Sequence, residues 1–382
     1  MPRIASQDPM QAVVPQGKHP LNKLVLTVAQ ACNLRCTYCY AEGGPYGADI
    51  SRMSEETARL AMRSMFTRYE PIKTLQFFGG EPTLNIAAMK AAVAEVRTLI
   101  IDKIIDYEPR YTIVTNMLRL SDELLDFYKD TNMKITASHD GPAEVQNALR
   151  PLVSGDHSFN DVMNNVDRLR LNGIEFDIQC TFTRKHILTG HRVPRLLRYF
   201  HELSAAKINI VPVAVPRNDE LDVFFSEVFP EMVKDYQEAV RLTFAAKKAG
   251  AALRFGMVEE VLSLLQKGKL ESKHYCNAGV STLTIGANGD VYPCFMFINK
   301  DSFHLGHIET DHRLAAFARD PKSGTDFGCP GRHFMMNGAI TPFTPDQILK
   351  NAVIDTVMDC VSEALDDLEA EHGRSASEAR TH

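Results

Sequence analysis

The chain has 382 residues, 45% of them hydrophobic, and its formal net charge is -6. This acidic balance, without any basic block, argues against nucleic acid as a partner. No apolar run approaches the ~20 residues of a membrane span and the N-terminus lacks the apolar segment of a signal peptide, so we expect a cytoplasmic protein with no membrane partner.

Short apolar segments alternate with helical patterns along the first half of the chain. The segments predicted as strands are Lys23–Val28, Leu75–Phe78, Tyr111–Val114, Lys134–Ala137, Phe176–Phe182 and Ile208–Val213. The predicted helices begin after Ser54, a suitable N-cap, and continue with Ala87–Ile105, Asp122–Tyr128, Phe159–Leu171 and Val193–Leu203. Six such alternations predict an α/β fold with a parallel sheet and crossover helices, either a barrel or an open sheet.

The chain changes character after Pro216. Three further helical patterns cover Asp219–Lys248, Val258–Leu265 and Asp346–Glu371. Between the last two lies a glycine-rich, β-like region with cysteines, in which the Asn288-Gly289 pair favours a hairpin turn.

Cys32, Cys36 and Cys39 follow the first predicted strand in C-x3-C-x2-C spacing. Because the cytosol keeps thiols reduced, these cysteines are expected to bind metal. A cubane iron–sulfur cluster takes one thiolate per iron, so three cysteines leave one iron open to a non-protein ligand. A three-ligand zinc loop or three unrelated thiols is the alternative, although zinc loops favour a matched second pair.

Glycine and polar residues follow the next three strands. They are Gly79, Gly80 and Glu81 after the second strand, Asn116 after the third, and Ser138 and Asp140 after the fourth. This edge is where α/β barrels and open sheets place their sites. The glycines permit close backbone approach to a ligand, whereas Glu81 also suits a helix start, and Asn116 and Asp140 are ordinary turn residues.

The cysteine loop and the Gly79-Gly80-Glu81-Pro82 motif, in this order and each after a strand, together resemble the radical S-adenosylmethionine (radical SAM) superfamily. The resemblance spans roughly Leu24 to Val215 and implies a partial (β/α)6 TIM-like barrel. It implies a [4Fe–4S] cluster on Cys32, Cys36 and Cys39, with S-adenosylmethionine (SAM) on the open iron. Reductive cleavage of SAM would give a 5′-deoxyadenosyl radical that abstracts hydrogen from a substrate. The residues implied for SAM binding are Tyr38, Gly79, Gly80, Glu81, Asn116, Ser138, Asp140 and Arg150. No catalytic acid or base is assigned.

The C-terminal cysteines resemble a reduced form of the SPASM and twitch extensions, which carry auxiliary [4Fe–4S] clusters. The resemblance implies an α+β extension in which one auxiliary [4Fe–4S] cluster is held by Cys276, Cys294, Cys329 and Cys360. Two such clusters would need about seven or eight thiolates, and at most four are present. Cys360 is also compatible with a packed thiol, and the four cysteines with a zinc site. Cys180, in the middle of a predicted strand, is expected to be a small buried residue.

The predicted organisation has five parts. They are a flexible N-terminal arm over residues 1–20, a radical SAM partial barrel over 21–216, a helical connector over 217–270, a SPASM/twitch-like auxiliary cluster domain over 271–372, and a disordered tail over 373–382.

By resemblance, this combination implies a maturase that crosslinks a ribosomally synthesised peptide through a thioether or carbon–carbon bond. Its implied partners are the precursor peptide and an electron donor such as flavodoxin or ferredoxin. The alternatives are a formylglycine-type sulfatase maturase and a small-molecule radical SAM dehydrogenase. A hypothesis from another class is a non-catalytic iron–sulfur or zinc binding protein.

Overall fold

The computed structural model describes residues 10–13, 18–216, 219–223, 229–267, 277–317, 329, 334, 353 and 355–366. The chain divides into two compact units. The first comprises Met1–Phe176 with Ser272–Pro342, and the second comprises Asp177–Glu271 with Phe343–His382.

The elements are numbered in chain order. The strands are β1 (Met10–Val13), β2 (His19–Leu21), β3 (Lys23–Gln30), β4 (Ser51–Arg52), β5 (Tyr69–Ile72), β6 (Thr74–Gly79), β7 (Arg110–Thr115), β8 (Lys134–Ser138), β9 (Phe176–Phe182), β10 (Ile208–Pro212), β11 (Thr282–Ile285), β12 (Asp290–Tyr292), β13 (Gly306–His307) and β14 (Leu314–Phe317). The helices are α1 (Glu55–Arg68), α2 (Ile86–Ile101), α3 (Asp122–Asp130), α4 (Ala143–Leu149), α5 (Phe159–Leu171), α6 (Arg184–Leu188), α7 (Val193–Glu202), α8 (Phe229–Lys248) and α9 (Gly256–Lys267).

A parallel sheet in the order β8-β7-β6-β3 forms the centre of the first unit. On the far side of β3, strand β11 is also parallel and pairs Leu283 with Leu24. The hairpin β11–β12 and then β13 extend the sheet in antiparallel fashion. In β3 every residue after Lys23 is buried, as expected for an apolar strand covered on both faces. Because neighbouring parallel strands end at the same edge, the loops that follow β3, β6, β7 and β8 lie together.

Helix α1 shows how local sequence sets the elements of this unit. Ser54 is its N-cap, as predicted, and the Ser54 hydroxyl accepts the Thr57 N–H at 2.9 Å. The residues that form its buried face are Ala58, Ala61, Met62, Met65 and Phe66. This apolar face packs α1 against α2.

The second unit contains the parallel pair β9–β10, in which Ile208 pairs with Ile178. Helix α8 begins at Phe229, whereas the sequence pattern predicted a helix from Asp219. Residues 219–223 are not helical. The Asp219 carboxylate accepts the Leu221 N–H at 2.9 Å, and such a local side-chain bond competes with helix formation.

All six predicted strands are present, with bounds that differ by two residues at most. The structure also contains strands within the predicted flexible arm. Strand β1 pairs antiparallel with β14, and β2 pairs in parallel with β5, so backbone hydrogen bonds hold parts of this segment. Residues 355–366, inside the last predicted helix, are helical. Among the described residues, no helix is long and apolar enough to cross a membrane.

His312 lies next to the junction of α1 and β5. Its Nδ1 lies 2.9 Å from Arg68 Nη1, and its Nε2 lies 2.8 Å from the Tyr69 hydroxyl. Burial and the neighbouring Arg68 charge lower the pKa of His312 from 6.5 to about 4.

This shift predicts a pH-dependent contribution to stability. As the pH falls from about 6.5 to about 4, His312 is protonated in the unfolded chain before it is protonated in the folded chain. Protonation therefore favours the unfolded chain, and the free energy of unfolding decreases over this range. In H312Q we expect the free energy of unfolding to fall less over this range, by about 1 to 2 kcal/mol after allowing for partial solvent exposure. Urea unfolding at a series of pH values measures the difference.

The control is H157Q, because His157 is exposed. Equal pH dependence in H312Q and wild type would contradict the assigned role of His312.

Candidate iron–sulfur site

The cysteine loop leaves the carboxyl end of β3, as predicted. The thiols of Cys32, Cys36 and Cys39 are partly buried and free. The Leu34 N–H donates to Cys32 Sγ at 3.4 Å, and the Gly43 N–H donates to Cys39 Sγ at 3.4 Å. Amide donors of this kind stabilise sulfur that carries negative charge.

The donor set fits an iron–sulfur cluster. Burial raises the pKa of Cys32 to about 11 and that of Cys36 to about 12, so these thiols hold their protons until metal binds and displaces them. No group of three or more His, Cys, Asp or Glu side chains in the described part of the chain is placed to hold a single metal ion. A cubane does not require such convergence, because each thiolate binds a different iron.

Backbone pairing holds the cysteine loop on one side. The Arg35 N–H donates to the Pro151 carbonyl and the Thr37 N–H donates to the Leu149 carbonyl, both at 2.9 Å. Leu34 and Leu152 form an antiparallel bridge between the same two segments. The loop is therefore fixed against the stretch that follows α4.

The glycine turn after β6 holds the loop on another side. The Gly80 N–H donates to the Ala29 carbonyl and the Glu81 N–H to the Ala31 carbonyl, both at 2.8 Å. A Cβ on Gly80 would lie 2.3 Å from the Ala31 oxygen and 2.6 Å from Gly44 Cα. The glycine is thus required by the base of the cysteine loop itself, whereas sequence analysis linked it to a ligand.

Glu81 is buried and is the N-cap of the short 3₁₀ helix Pro82–Asn85. Its Oε1 accepts the Thr83 N–H at 3.1 Å, the Thr83 hydroxyl at 2.7 Å and the Thr115 hydroxyl at 2.8 Å, while its Oε2 accepts the Asn116 N–H at 2.7 Å. Burial raises the pKa of Glu81, and these hydrogen bonds oppose the rise. The structure gives this carboxylate a helix-start role, and a contact with SAM remains a prediction.

Asn116 connects this network to the cysteines. Its side-chain amide donates to Asn33 Oδ1 at 2.8 Å and lies 3.6 Å from Cys32 Sγ. Its Oδ1 accepts the Leu118 N–H at 2.9 Å. Asn116, predicted to bind SAM, therefore orients the loop in this structure, and Asn33 is a contributor that sequence reasoning missed.

Three further predicted residues form a second group beside the loop. The Tyr38 hydroxyl donates to Asp140 Oδ2 at 2.5 Å and accepts from Arg150 Nη1 at 2.6 Å. The guanidinium of Arg150 lies 3.9 Å from Asp140 Oδ1, and both side chains are buried. Ser138 ends β8 two residues before Asp140 and is partly buried.

The predicted auxiliary cysteines are spread over the chain. Cys294 follows the hairpin in the first unit and is partly buried, and Cys329 is exposed. Cys360 lies in the second unit, on the helical segment 355–366, and burial raises its pKa. Cys276 lies outside the described residues. Their common ligation remains a prediction. Cys180 is buried, as predicted.

Aromatic residues connect the loop of Cys39 with that of Cys294. Tyr40 contacts Phe295 with ring centroids 6.2 Å apart, and Phe295 contacts Phe78 at 4.3 Å. Tyr46 packs in the same cluster, and its hydroxyl donates to the Gly79 carbonyl at 3.3 Å. Sequence reasoning missed this group, although Tyr40 and Phe295 each directly follow a cysteine.

Comparisons with known proteins assign the chain to a family. A model of the radical SAM superfamily matches residues 26–211, and a model of the SPASM iron-sulfur cluster-binding domain matches residues 276–327. An uncharacterised protein of Methanocaldococcus jannaschii is 30% identical over 324 residues, which cover 83% of this chain and 97% of the relative. The chain belongs to the radical SAM superfamily and carries a C-terminal SPASM domain. It is an enzyme whose cofactors are SAM and iron–sulfur clusters.

Two relatives with named activities have lower sequence identity to this chain. The cysteine-type anaerobic sulfatase-maturating enzyme of Clostridium novyi is 25% identical, with 76% of this chain and 77% of the relative covered. The serine-type enzyme of Bacteroides thetaiotaomicron is 28% identical, with coverage of 76% and 72%.

Solved structures confirm the predicted fold, a partial α/β barrel with a cysteine-bearing C-terminal domain. Native anSMEcpe with bound AdoMet, another abbreviation for SAM, has a TM-score of 0.75 at 17% identity, with 91% of this chain and 99% of that chain covered. Streptococcus suis SuiB has a TM-score of 0.58 at 14% identity, with coverage of 86% and 77%.

The hydrogen bonds of Glu81 lead to a prediction for the free energy of unfolding. In E81Q an amide nitrogen replaces one carboxylate oxygen and cannot accept the N–H or O–H donors that face it. We expect the free energy of unfolding to fall by about 1 to 3 kcal/mol, as measured by urea unfolding.

The matched control is E123Q. Glu123 is 56% exposed and pairs with Lys90, so its replacement should change stability by less than about 0.5 kcal/mol. A similar small effect in both variants would contradict the assigned role of Glu81.

Proposed function

We propose that this enzyme oxidises a side chain of a peptide or protein substrate by radical hydrogen abstraction. The observation that carries the proposal is the three-cysteine loop, which the chain holds against the glycine turn and Asn116. The similarity to both cysteine-type and serine-type sulfatase-maturating enzymes over 76% of this chain supports a peptidyl substrate. So does a fold neighbour, anSMEcpe with bound AdoMet and Cp18Cys peptide, with a TM-score of 0.73.

When bound, a [4Fe–4S] cluster and SAM supply the 5′-deoxyadenosyl radical through one-electron cleavage of the sulfonium. Cys32, Cys36 and Cys39 would bind the cluster. Tyr38, Gly79, Gly80, Glu81, Asn116, Ser138, Asp140 and Arg150 are proposed to surround SAM. In this assignment the buried groups Asp140 and Arg150 exclude water from the radical and fix the loop that carries the thiols.

Oxidation of the substrate removes one hydrogen atom, and then one further electron and one proton. The hydrogen atom leaves in 5′-deoxyadenosine. We assign Cys276, Cys294, Cys329 and Cys360 to one auxiliary [4Fe–4S] cluster, which would accept the electron. A one-electron donor of the flavodoxin or ferredoxin type is the partner proposed to reduce the SAM-binding cluster.

Crosslink formation in a ribosomally synthesised peptide is the second candidate. Both reactions begin with the same hydrogen abstraction and differ in whether the oxidised carbon is captured by another side chain. We favour oxidation without a crosslink because the sulfatase-maturating relatives match over the larger part of both chains.

Cysteine variants separate the two assigned cluster sites. After anaerobic reconstitution and reduction with dithionite, the variants C32A, C36A and C39A should form no 5′-deoxyadenosine from SAM. C294A should retain SAM cleavage and lose at least ten-fold in substrate oxidation. Chromatography with mass spectrometry measures both products, and iron and sulfide content reports cluster loading.

C180A serves as the control, because Cys180 is buried and assigned to neither site. Full SAM cleavage by C36A would contradict the cluster assignment.

Deuterium transfer tests the substrate class. A cysteine-containing peptide and its serine counterpart, each with deuterium at the β-carbon, are incubated with enzyme, SAM and dithionite. We expect deuterium in 5′-deoxyadenosine together with a peptide that reacts with a carbonyl reagent. The serine peptide gives the aldehyde directly, whereas the cysteine peptide gives a thioaldehyde that water hydrolyses to the aldehyde with release of hydrogen sulfide.

Deuterium transfer with a product that resists both the carbonyl reagent and thiol alkylation would favour a crosslink. Turnover of a small-molecule alcohol, without transfer from either peptide, would contradict the proposal.

A further inference from the structure

Arg150 carries a charge that is buried next to the cysteine loop. Its side chain is 8% exposed, and that of its neighbour Asp140 is fully buried. Burial alone would lower the pKa of Arg150, but Cys36, Tyr38 and Asp140 raise it well above its usual value. The guanidinium therefore stays charged at any pH at which the protein is folded.

Arg150 is tied to the loop by two independent connections. Its Nη1 donates to the hydroxyl of Tyr38, which stands between Cys36 and Cys39 in the sequence. Its backbone neighbours Leu149 and Pro151 accept the N–H groups of Thr37 and Arg35. Arg150 therefore cannot move away from the thiols without breaking the pairing of the loop.

The Nε of Arg150 is buried and has no hydrogen-bond partner among the residues that the structure describes. Electrostatically, Arg150 acts on the thiols of both Cys36 and Cys32, whereas Asp140 acts on Cys36 with the opposite sign. The two members of the buried pair thus act on the thiol of Cys36 with opposite signs.

We propose that the buried Arg150–Asp140 pair sets the reduction potential of the cluster bound by Cys32, Cys36 and Cys39, with Arg150 raising it and Asp140 lowering it. The inference rests on the cysteine assignment of the proposed function and is independent of the substrate. Arg150 is in this view a positioning and electrostatic residue that acts through the thiolates, and its action does not require contact with SAM.

The signs follow from the charge that reduction adds. One electron from an external reductant makes the cluster and its thiolates more negative by one charge. A nearby positive charge stabilises that reduced state, and a nearby negative charge destabilises it. The effect is strong at this position because both side chains are buried and little water screens them.

Redox titration of the reconstituted full-length enzyme, followed by electron paramagnetic resonance without SAM, tests the proposal. The relevant signal is the one that is lost in C36A. We expect its midpoint potential to become more negative in R150M and more positive in D140N, and to stay near the wild-type value in R150K. A purely structural role would not move the potential in opposite directions, because both substitutions break the same pair.

Arg35 provides the matched control. It lies on the same loop but is exposed, so R35M removes a positive charge that solvent already screens and should leave the potential unchanged. If R150M does not fold, D140N alone still tests the sign. The proposal is overturned if D140N leaves the potential unchanged or lowers it, or if R35M shifts it as much as R150M.

Failure of this inference is distinguishable from failure of the proposed function. If the wild type shows no signal that depends on Cys36, the cysteine assignment is wrong and both proposals fail. If the signal is present and depends on Cys36 but does not respond to Arg150 and Asp140, only the present inference fails.

Discussion

A buried carboxylate that must be hydrogen-bonded is the constraint on which the site depends. Moving the charge of Glu81 out of water is unfavourable unless donors replace the lost hydration. The donors come from Thr83, Thr115 and Asn116, so the ends of β6 and β7 are drawn to one point. Asn116 then extends the same network to Asn33 and to the sulfur of Cys32. The position of Cys32, which follows β3, thus depends on the carboxylate of Glu81, which follows β6.

The cysteine loop is preorganised by its own chain. The glycine turn contacts Ala29 and Ala31 so closely that a Cβ at Gly80 has no space, and residues 149–153 pair with the loop on the other side. Such fixation reduces the entropy lost when a cofactor binds, because the ligand backbone is already ordered. The raised pKa values of Cys32 and Cys36 act in the opposite direction, since each thiol must give up its proton to bind metal. Preorganisation therefore offsets part of the cost of burying three thiols in one loop.

Local features of the fold were predictable and long-range ones were not. Apolar runs of four to seven residues identified the six strands, and Ser54 identified the start of α1, because these signals depend on neighbours in sequence. The cysteine motif and the glycine motif were also recognised, because the residues within each motif are close together in the sequence. By contrast, Arg150 was predicted to bind SAM, and its contacts with Tyr38 and Asp140 were not predicted. Arg150 and Tyr38 are more than 100 residues apart in the chain. The pairing of β1 with β14 could not be predicted for the same reason, since it joins two strands that are far apart in the sequence.

The contact between Tyr40 and Phe295 gives the two cysteine regions of the first unit a common core. Tyr40 directly follows Cys39, and Phe295 directly follows Cys294. No residue therefore separates either cysteine from the residue whose ring makes the contact. Interiors are packed closely enough that a shift on one side of such a contact displaces the other side. Tyr46 adds a hydrogen bond from the same cluster to the Gly79 carbonyl, which belongs to the turn that holds the loop. The aromatic packing of the SPASM region is therefore part of the structure that positions the radical SAM cysteines.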